Sequence, residues 1–194
     1  MTNRLLQYVA GISRLVSDSA IPIQTLLERA IELKGALVRV DDWLPDAFAQ
    51  PGPEFYRQHL LYGDPLNRFS VVSFVWGPGQ STPIHDHTVW GVVGMLRGAE
   101  YSQAYRLGPQ APVPRGDEER LEVGEAFSLS PNRGDIHRVR NTFADRVSIS
   151  IHTYGGNIGR IERSVFSADS PKVRPFVSGY ANALVPNLWA IHDN

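Results

Sequence analysis

Hydrophobic and polar positions follow two different rhythms along this chain, and the change between them falls near Phe69. Before it, Leu5, Leu6, Val9, Ile12, Leu15 and Val16 recur at the three-and-four spacing of one helical face, with polar residues between them. A second helical stripe starts at about Pro22, a good first-turn residue, and runs through Leu26, Leu27, Ala30, Ile31 and Leu33 until Gly35. A third, shorter helix is predicted near Pro45. These stripes read as a helical cap on a core rather than a partner-binding surface. From Phe69 the texture becomes that of short strands. Residues 69–76 are rich in Val, Phe and Ser and end at the turn Gly77-Pro78-Gly79. Further strand-like runs cover 89–96, 100–106, 126–129, 136–140 and 146–153. Arg97-Gly98, Gly108-Pro109 and Pro131-Asn132-Arg133-Gly134 punctuate them. Helices followed by short strands predict a mainly β barrel or sandwich with an α-helical N-terminal extension. The expected organisation is a single domain over 1–194: helices to about 50, a barrel over about 69–165, and a tail that wraps it.

Composition narrows the function classes. At 194 residues and 42% hydrophobic, the chain can bury a sizeable core. A net charge of -1 gives no electrostatic reason to expect nucleic acid or a membrane surface as partner. Cysteine is absent, so disulfides, thiolate metal sites and a cysteine nucleophile are excluded. Gln7, Arg14 and Asp18 break the first apolar run, which argues against a signal peptide. The expectation is a cytoplasmic protein, a monomer or weak homo-oligomer.

The candidate chemistry starts with His85 and His87. On a strand, residues two apart face the same way, so both imidazoles can reach one metal while Asp86 points elsewhere. Alone, such a pair is as readily a hydrogen-bonded or surface pair. Its surroundings say more: from Gly79 the spacing is G-x5-H-x-H-x3-G-x6-G, ending at Gly91 and Gly98, and Pro131 to His137 with Asn141 follows. This resembles the two sequence motifs of the cupin superfamily, with one extra residue around Pro131. The resemblance implies a double-stranded β-helix barrel and His137 as a third metal ligand. Where an ordinary cupin has a glutamate ligand, this chain has Gly91. The site would then hold three neutral histidines, leave several coordination positions open, and favour anionic ligands such as a thiolate. Gly91 also leaves space beside the ion, or serves a bend in the barrel.

Ser150, His152 and Tyr154 alternate on a later predicted strand and should share a face. They can form a hydrogen-bond relay inside the barrel; Ile149 and Ile151 opposite them keep a solvent-facing strand open as an alternative. Three histidines without a glutamate, followed by S-x-H-x-Y, resemble the thiol dioxygenases of the cysteine dioxygenase family. Those enzymes use iron(II) and O2 to turn a thiol into a sulfinic acid. The resemblance implies Fe(2+) on His85, His87 and His137, with Ser150, His152 and Tyr154 as the relay. Two departures bear on substrate. The cysteine–tyrosine crosslink of the animal enzymes cannot form here, and their Tyr-x-Arg segment matches Tyr56-Arg57-Gln58, with glutamine in place of the arginine. Both resemble the bacterial 3-mercaptopropionate dioxygenase branch, which implies that Arg163 and Gln58 bind the substrate, Arg163 taking its carboxylate. Guanidinium suits that role by its charged, forked donors; the alternative is a surface charge paired with Glu162 or Asp169. The expected activity is oxidation of 3-mercaptopropionate to 3-sulfinopropionate, with L-cysteine dioxygenation and a small-ligand-binding cupin as alternatives. Trp90 and Tyr105 are expected to pack the barrel and His59 to line the pocket entrance, while His192 lies in the tail.

Overall fold

The computed structural model describes residues 3–189. Its first helix, α1 (Arg4–Ser17), starts where the Asn3 side chain accepts a hydrogen bond from the Leu6 N–H at 3.1 Å. The second, α2 (Ile23–Val38), has Pro22 as its cap and continues a turn beyond the predicted stop at Gly35. Leu37 and Val38 extend its buried stripe, and that burial outweighs the helix-weakening effect of one glycine. The third predicted helix is a single 3-10 turn, Asp46–Phe48, capped by Pro45.

The strands form two facing sheets. One contains β1 (Arg57–Gly63), β2 (Ser70–Trp76), β4 (Gly91–Arg97), β8 (Ala126–Leu129) and β10 (Ser148–Tyr154), in the order β1-β2-β10-β4-β8. The other is built on β3 (Ile84–His85), β5 (Ala99–Leu107), β9 (His137–Asn141), β11 (Arg163–Phe166) and β12 (Val173–Phe176), in the order β12-β11-β3-β9-β5. Two short strands, β6 (Pro112–Pro114) and β7 (Glu119–Glu122), pair with β5. All these pairings are antiparallel, and strands far apart in sequence lie side by side. The fold is mainly β, the double-stranded β-helix barrel of the cupins, with an N-terminal helical extension.

Five of these strands, β1, β6, β7, β11 and β12, do not stand out in the hydrophobic pattern. The sequence of β7, Glu-Arg-Leu-Glu, is mostly charged, and β1 alternates too weakly to be seen. β1 is an edge strand, and the tail covers it: Ala181 N–H donates to Gln58 O, and the Asn182 side chain bonds both backbone groups of Leu60. The segment after Ser167 contributes both the strand β12 and this edge cover.

The central strands of the five-stranded sheet, β2, β10 and β4, are buried on both faces. Val71, Val75, Val92, Leu96, Ile149 and Ile151 pack outward against α1 and α2. Val72, Phe74, Trp76 and Tyr154 face the barrel interior with Val139 and Ile158. This is why Ile149 and Ile151 do not expose the alternate residues of β10: every residue of that strand is buried. The β4–β5 connection turns at Gly98 (φ +71), where a Cβ would come within 2.3 Å of Ser148 Oγ, so both backbone and space demand glycine.

Candidate metal centre

His85 ends β3, and its neighbours in register are Val165 on β11 and His137 on β9. His87 lies two residues beyond that position, outside the strand, so the strand alternation predicted for the pair holds only at its first member. The loop positions His87 instead. Its N–H donates to the Asp135 carboxylate at 2.9 Å, the same carboxylate stands 3.5 Å from its Nδ1, and the chain turns sharply at Thr88 (φ 60). Asp86 points away, as predicted, and accepts the Ser164 N–H at 2.7 Å.

The three imidazoles converge. Their centroids lie 4.8 Å, 4.8 Å and 4.9 Å apart, and one nitrogen from each falls within 4.8 Å of the others. Each Nδ1 faces an outer partner. That of His85 lies 3.1 Å from Pro83 O, that of His137 lies 3.0 Å from Ser102 Oγ, and that of His87 faces Asp135. A carbonyl can only accept, so His85 carries its proton on Nδ1 and keeps the Nε2 lone pair free. Burial pushes the His85 pKa down to about 4, assisted by the Arg163 charge, and pushes His87 and His137 well below the ordinary histidine value. Neutral, oriented, mutually close imidazoles are a donor set that fits a divalent first-row metal ion.

Gly91 has a steric explanation. It pairs with Tyr154 across β4 and β10, and a Cβ there would sit 3.1 Å from the Tyr154 ring. The space of an acidic ligand side chain is given over to that ring, which also stacks on His87 with centroids 5.4 Å apart.

Ser150, His152 and Tyr154 share the interior face of β10 and are buried. Ser150 Oγ lies 2.8 Å from His152 Nε2, and His152 Nδ1 lies 2.8 Å from the Tyr154 hydroxyl. Trp76 Nε1 donates to Ser150 Oγ at 3.1 Å, and Phe74 stacks on the His152 ring at 4.1 Å. Burial holds His152 well below the usual histidine range and drives the Tyr154 hydroxyl upward, so both are neutral at ordinary pH.

Arg163 is not a surface charge. It is 4% exposed on β11, it lies over the Phe176 ring at 5.1 Å, and its Nε and one terminal nitrogen have no hydrogen-bond partner. Neither Glu162 nor Asp169 pairs with it among the described residues. Two residues along β11 from Val165, the register partner of His85, it lies beside the histidines, and its positive charge lowers His85 and His87 and also acts on Tyr56 and Tyr154. Gln58 is turned differently: its amide nitrogen donates to Ser178 Oγ at 3.0 Å and Gly179 O at 2.9 Å, leaving Oε1 unpaired. A cavity of about 560 Å³ opens beside it, lined by Phe55, Tyr56, Ser81, Thr82, Phe176 and Tyr180 among others.

His59 does not line that cavity. It follows Gln58 on a strand and so faces the other side of the sheet, where it meets Gln50 O at 3.3 Å and the edge of Phe48. Trp90 packs at the helical face as expected, Tyr105 is half-buried, and His192 lies outside the described residues. Sequence reading passed over Asp135, Ser102, Trp76 and Glu100. Only Asp135, two residues before His137, stood inside a motif; the other three become neighbours of the site through sheet pairing alone.

A sequence profile of the family described as cysteine dioxygenase type I matches residues 13–165. The match runs from within α1 to within β11 and takes in every candidate residue from Gln58 to Arg163. Among solved structures, the chain is similar to an uncharacterized conserved protein with a double-stranded β-helix domain from Klebsiella pneumoniae subsp. pneumoniae MGH 78578. Identity there is 18%, over 66% of this chain and 99% of that one, with a TM-score of 0.48. It is also similar to a cupin 2 domain-containing protein from Halorhodospira halophila, at 17% identity over 69% of this chain and 81% of that one, with a TM-score of 0.44.

Proposed function

From a chain that belongs to the cysteine dioxygenase type I family, we propose an iron(II)-dependent enzyme that oxidises 3-mercaptopropionate to 3-sulfinopropionate. Membership implies a dioxygenase that acts on a small thiol with O2. The overall reaction, R–SH + O2 → R–SO2H, adds both oxygen atoms to sulfur and needs no external reductant. The observation that carries the reading of a thiol with a carboxylate at its far end is Arg163: a buried guanidinium with unpaired donors beside three histidines calls for an anion.

His85, His87 and His137 would hold the iron through Nε2, their Nδ1 atoms being turned to Pro83, Asp135 and Ser102. Iron(II), when bound, supplies the centre at which thiolate and O2 meet. Arg163 anchors the far carboxylate, so the substrate is held at both ends and its sulfur is oriented. Tyr154, aligned by His152, directs its hydroxyl toward the reacting sulfur and oxygen and holds a hydrogen bond there. The apolar interior, with Val72, Phe74 and Ile158, keeps bulk water from the site.

L-Cysteine is the second reading: glutamine in place of the arginine argues against it, and one observation at Gln58 speaks for it. Its free Oε1 is an acceptor that an ammonium group would satisfy. Oxygen uptake with 3-mercaptopropionate, L-cysteine and cysteamine, with metal analysis of the purified protein, separates the readings. The proposal expects stoichiometric iron, a sulfinate product and the highest kcat/KM for 3-mercaptopropionate. A higher kcat/KM for cysteine overturns the substrate, and iron without turnover of any thiol leaves a small-ligand-binding cupin.

A further inference from the structure

Beyond the relay residues themselves, one buried acid has no task in the mechanism above. Glu100 is 1% exposed on β5, and neither carboxyl oxygen completes a hydrogen bond. Sheet pairing sets it at the closed end of the relay: Ala99 beside it exchanges hydrogen bonds with Ser148, two residues before Ser150, and Asn141 opposite it bonds Trp76 O, while the Ser150 hydroxyl and the Trp76 indole oppose the rise of its pKa. A solvent-free carboxyl without a cationic partner is costly when ionised, and a fold retains it at a cost in stability. Its charge is also felt at Tyr154, at the opposite end of the relay.

We propose that Glu100 is a positioning residue that closes the relay as its proton store, so that its charge sets the direction in which Ser150, His152 and Tyr154 donate. The reasoning is a count of donors. Trp76 Nε1 can only donate, so Ser150 Oγ accepts from it and has a single proton to give. With Glu100 protonated, Ser150 gives that proton to His152 Nε2. His152 then donates from Nδ1 to the Tyr154 oxygen, and the Tyr154 hydroxyl points into the site. With Glu100 ionised, the carboxylate claims the Ser150 proton. His152 must then carry its proton on Nε2, and Nδ1 accepts from Tyr154, whose hydroxyl turns away from the site.

A shift of one proton at each of four links along the chain interconverts the two states. A thiol that becomes a thiolate releases one proton to the Tyr154 oxygen. Tyr154 passes its own proton to His152 Nδ1, the Nε2 proton moves to Ser150, and the Ser150 proton neutralises Glu100. Every atom of the relay keeps its valence, and the thiol proton offsets the carboxylate charge without entering bulk water. This step rests on the thiol dioxygenase reading; the dependence of the relay on Glu100 does not.

Burial pushes the Glu100 carboxyl up to about 7, with Ser150 and Trp76 opposing it, which places both states within reach of neutral pH. The surroundings leave Glu100 as the group that titrates there. β10 faces it with His152 and Tyr154, both kept neutral by burial. β9 presents Asn141 and, further along the same row, His137, held well below the ordinary value. β7 presents Leu121 and, at the exposed end, Glu119. Arg120 and Arg140 belong to the outer face, against Tyr101. β2 presents Trp76, and Arg97 of β4 is engaged outside with Asp41.

The test is the tautomer of His152, read from its ring-nitrogen resonances in the metal-free protein between pH 6 and pH 8.5. The assignment comes from His152→Gln. The proposal expects the Nδ1–H form at low pH, the Nε2–H form at high pH and a midpoint near neutrality. Glu100→Gln should lock the Nδ1–H form throughout, and Glu100→Asp should restore a switch. A wild-type tautomer that does not change with pH overturns the proposal, as does a switch that persists in Glu100→Gln; the wild-type titration decides even if a variant does not fold. Because this readout needs neither iron nor substrate, it stands apart from any failure of the dioxygenase reading. With 3-mercaptopropionate, the kcat/KM profile should lose its inflection near neutral pH in Glu100→Gln and regain one in Glu100→Asp.

Discussion

The two faces of β10 bury polar side chains in opposite ways. On the interior face, Ser150, His152 and Tyr154 form a line of short hydrogen bonds that ends beside the histidine cluster. On the outer face, between Ile151 and α2, Thr153 meets the Tyr8 hydroxyl at 2.7 Å and the Lys34 ammonium at 2.9 Å. Lys34 is wholly buried, lies over the Tyr8 ring at 4.5 Å and has no carboxylate partner among the described residues; desolvation lowers its pKa well below the usual lysine value. Gly94 makes room for its stem, since a Cβ there would come within 2.6 Å of Lys34 Cγ. The outer cluster is closed: its donors and acceptors serve one another and anchor the helices to the sheet. The inner one ends at Tyr154, and Arg163 near it keeps two guanidinium nitrogens without a partner among the described residues. Burial alone thus does not mark a functional polar group; a buried donor left unsatisfied beside the histidines does.

Substitutions can break or sharpen this contrast. The largest effect is expected from His85→Ala, which should abolish stoichiometric iron and reduce oxygen uptake to background while the circular dichroism spectrum stays unchanged; retained iron would undo the assignment of the inner cluster. Arg163→Ala should raise KM for 3-mercaptopropionate about 10- to 100-fold, the worth of a charge-assisted hydrogen bond, with a smaller change in kcat. Tyr154→Phe should do the reverse and lower kcat by about 100-fold with little change in KM. Steady-state oxygen uptake separates these two.

A smaller effect concerns stability. Glu100 has a folded pKa of about 7, above its ordinary value of 4.5, so its protonated form is favoured by folding. Its contribution is full below the unfolded value and is lost as pH rises through the folded one. Glu100→Gln cannot ionise, so its urea-unfolding stability should gain on the wild type by roughly 1 to 2 kcal/mol between pH 6 and pH 8.5. The smallest effect belongs to the outer face. Lys34→Met removes a costly buried amine and one hydrogen bond together, so stability should stay within about 1 kcal/mol of wild type and kcat/KM should not move. The Lys34 charge does reach His152 and helps to lower its pKa. A changed kcat in Lys34→Met would therefore show that the two faces communicate.

The parts legible in the sequence were those with a local signature. The helical stripes, the strands of the buried sheet, the glycine turns, H-x-H and S-x-H-x-Y all rest on spacing within one segment. Strands such as β1 and β7 were not legible, because pairing with a neighbour rather than their own alternation makes them strands. His87 shows the limit within a motif. It was predicted on a strand, yet it is held by a loop and by Asp135, a residue 48 positions further along the chain.

The sequence by itself therefore determined which donors exist: six histidines, of which three share cupin spacing, no cysteine, and no acid at position 91. Residue identity is a property of the chain, and so is the order of faces along a strand. Which groups are left without partners was decided only by the tertiary structure. Arg163 could have met Glu162 on a surface, and Gln58 could have turned its amide nitrogen inward. Antiparallel pairing of β11 with β3 instead buried Arg163 beside the histidines, and the tail took both donors of Gln58. Hydrogen-bond satisfaction depends on distances between segments far apart in the chain, and folding sets those distances.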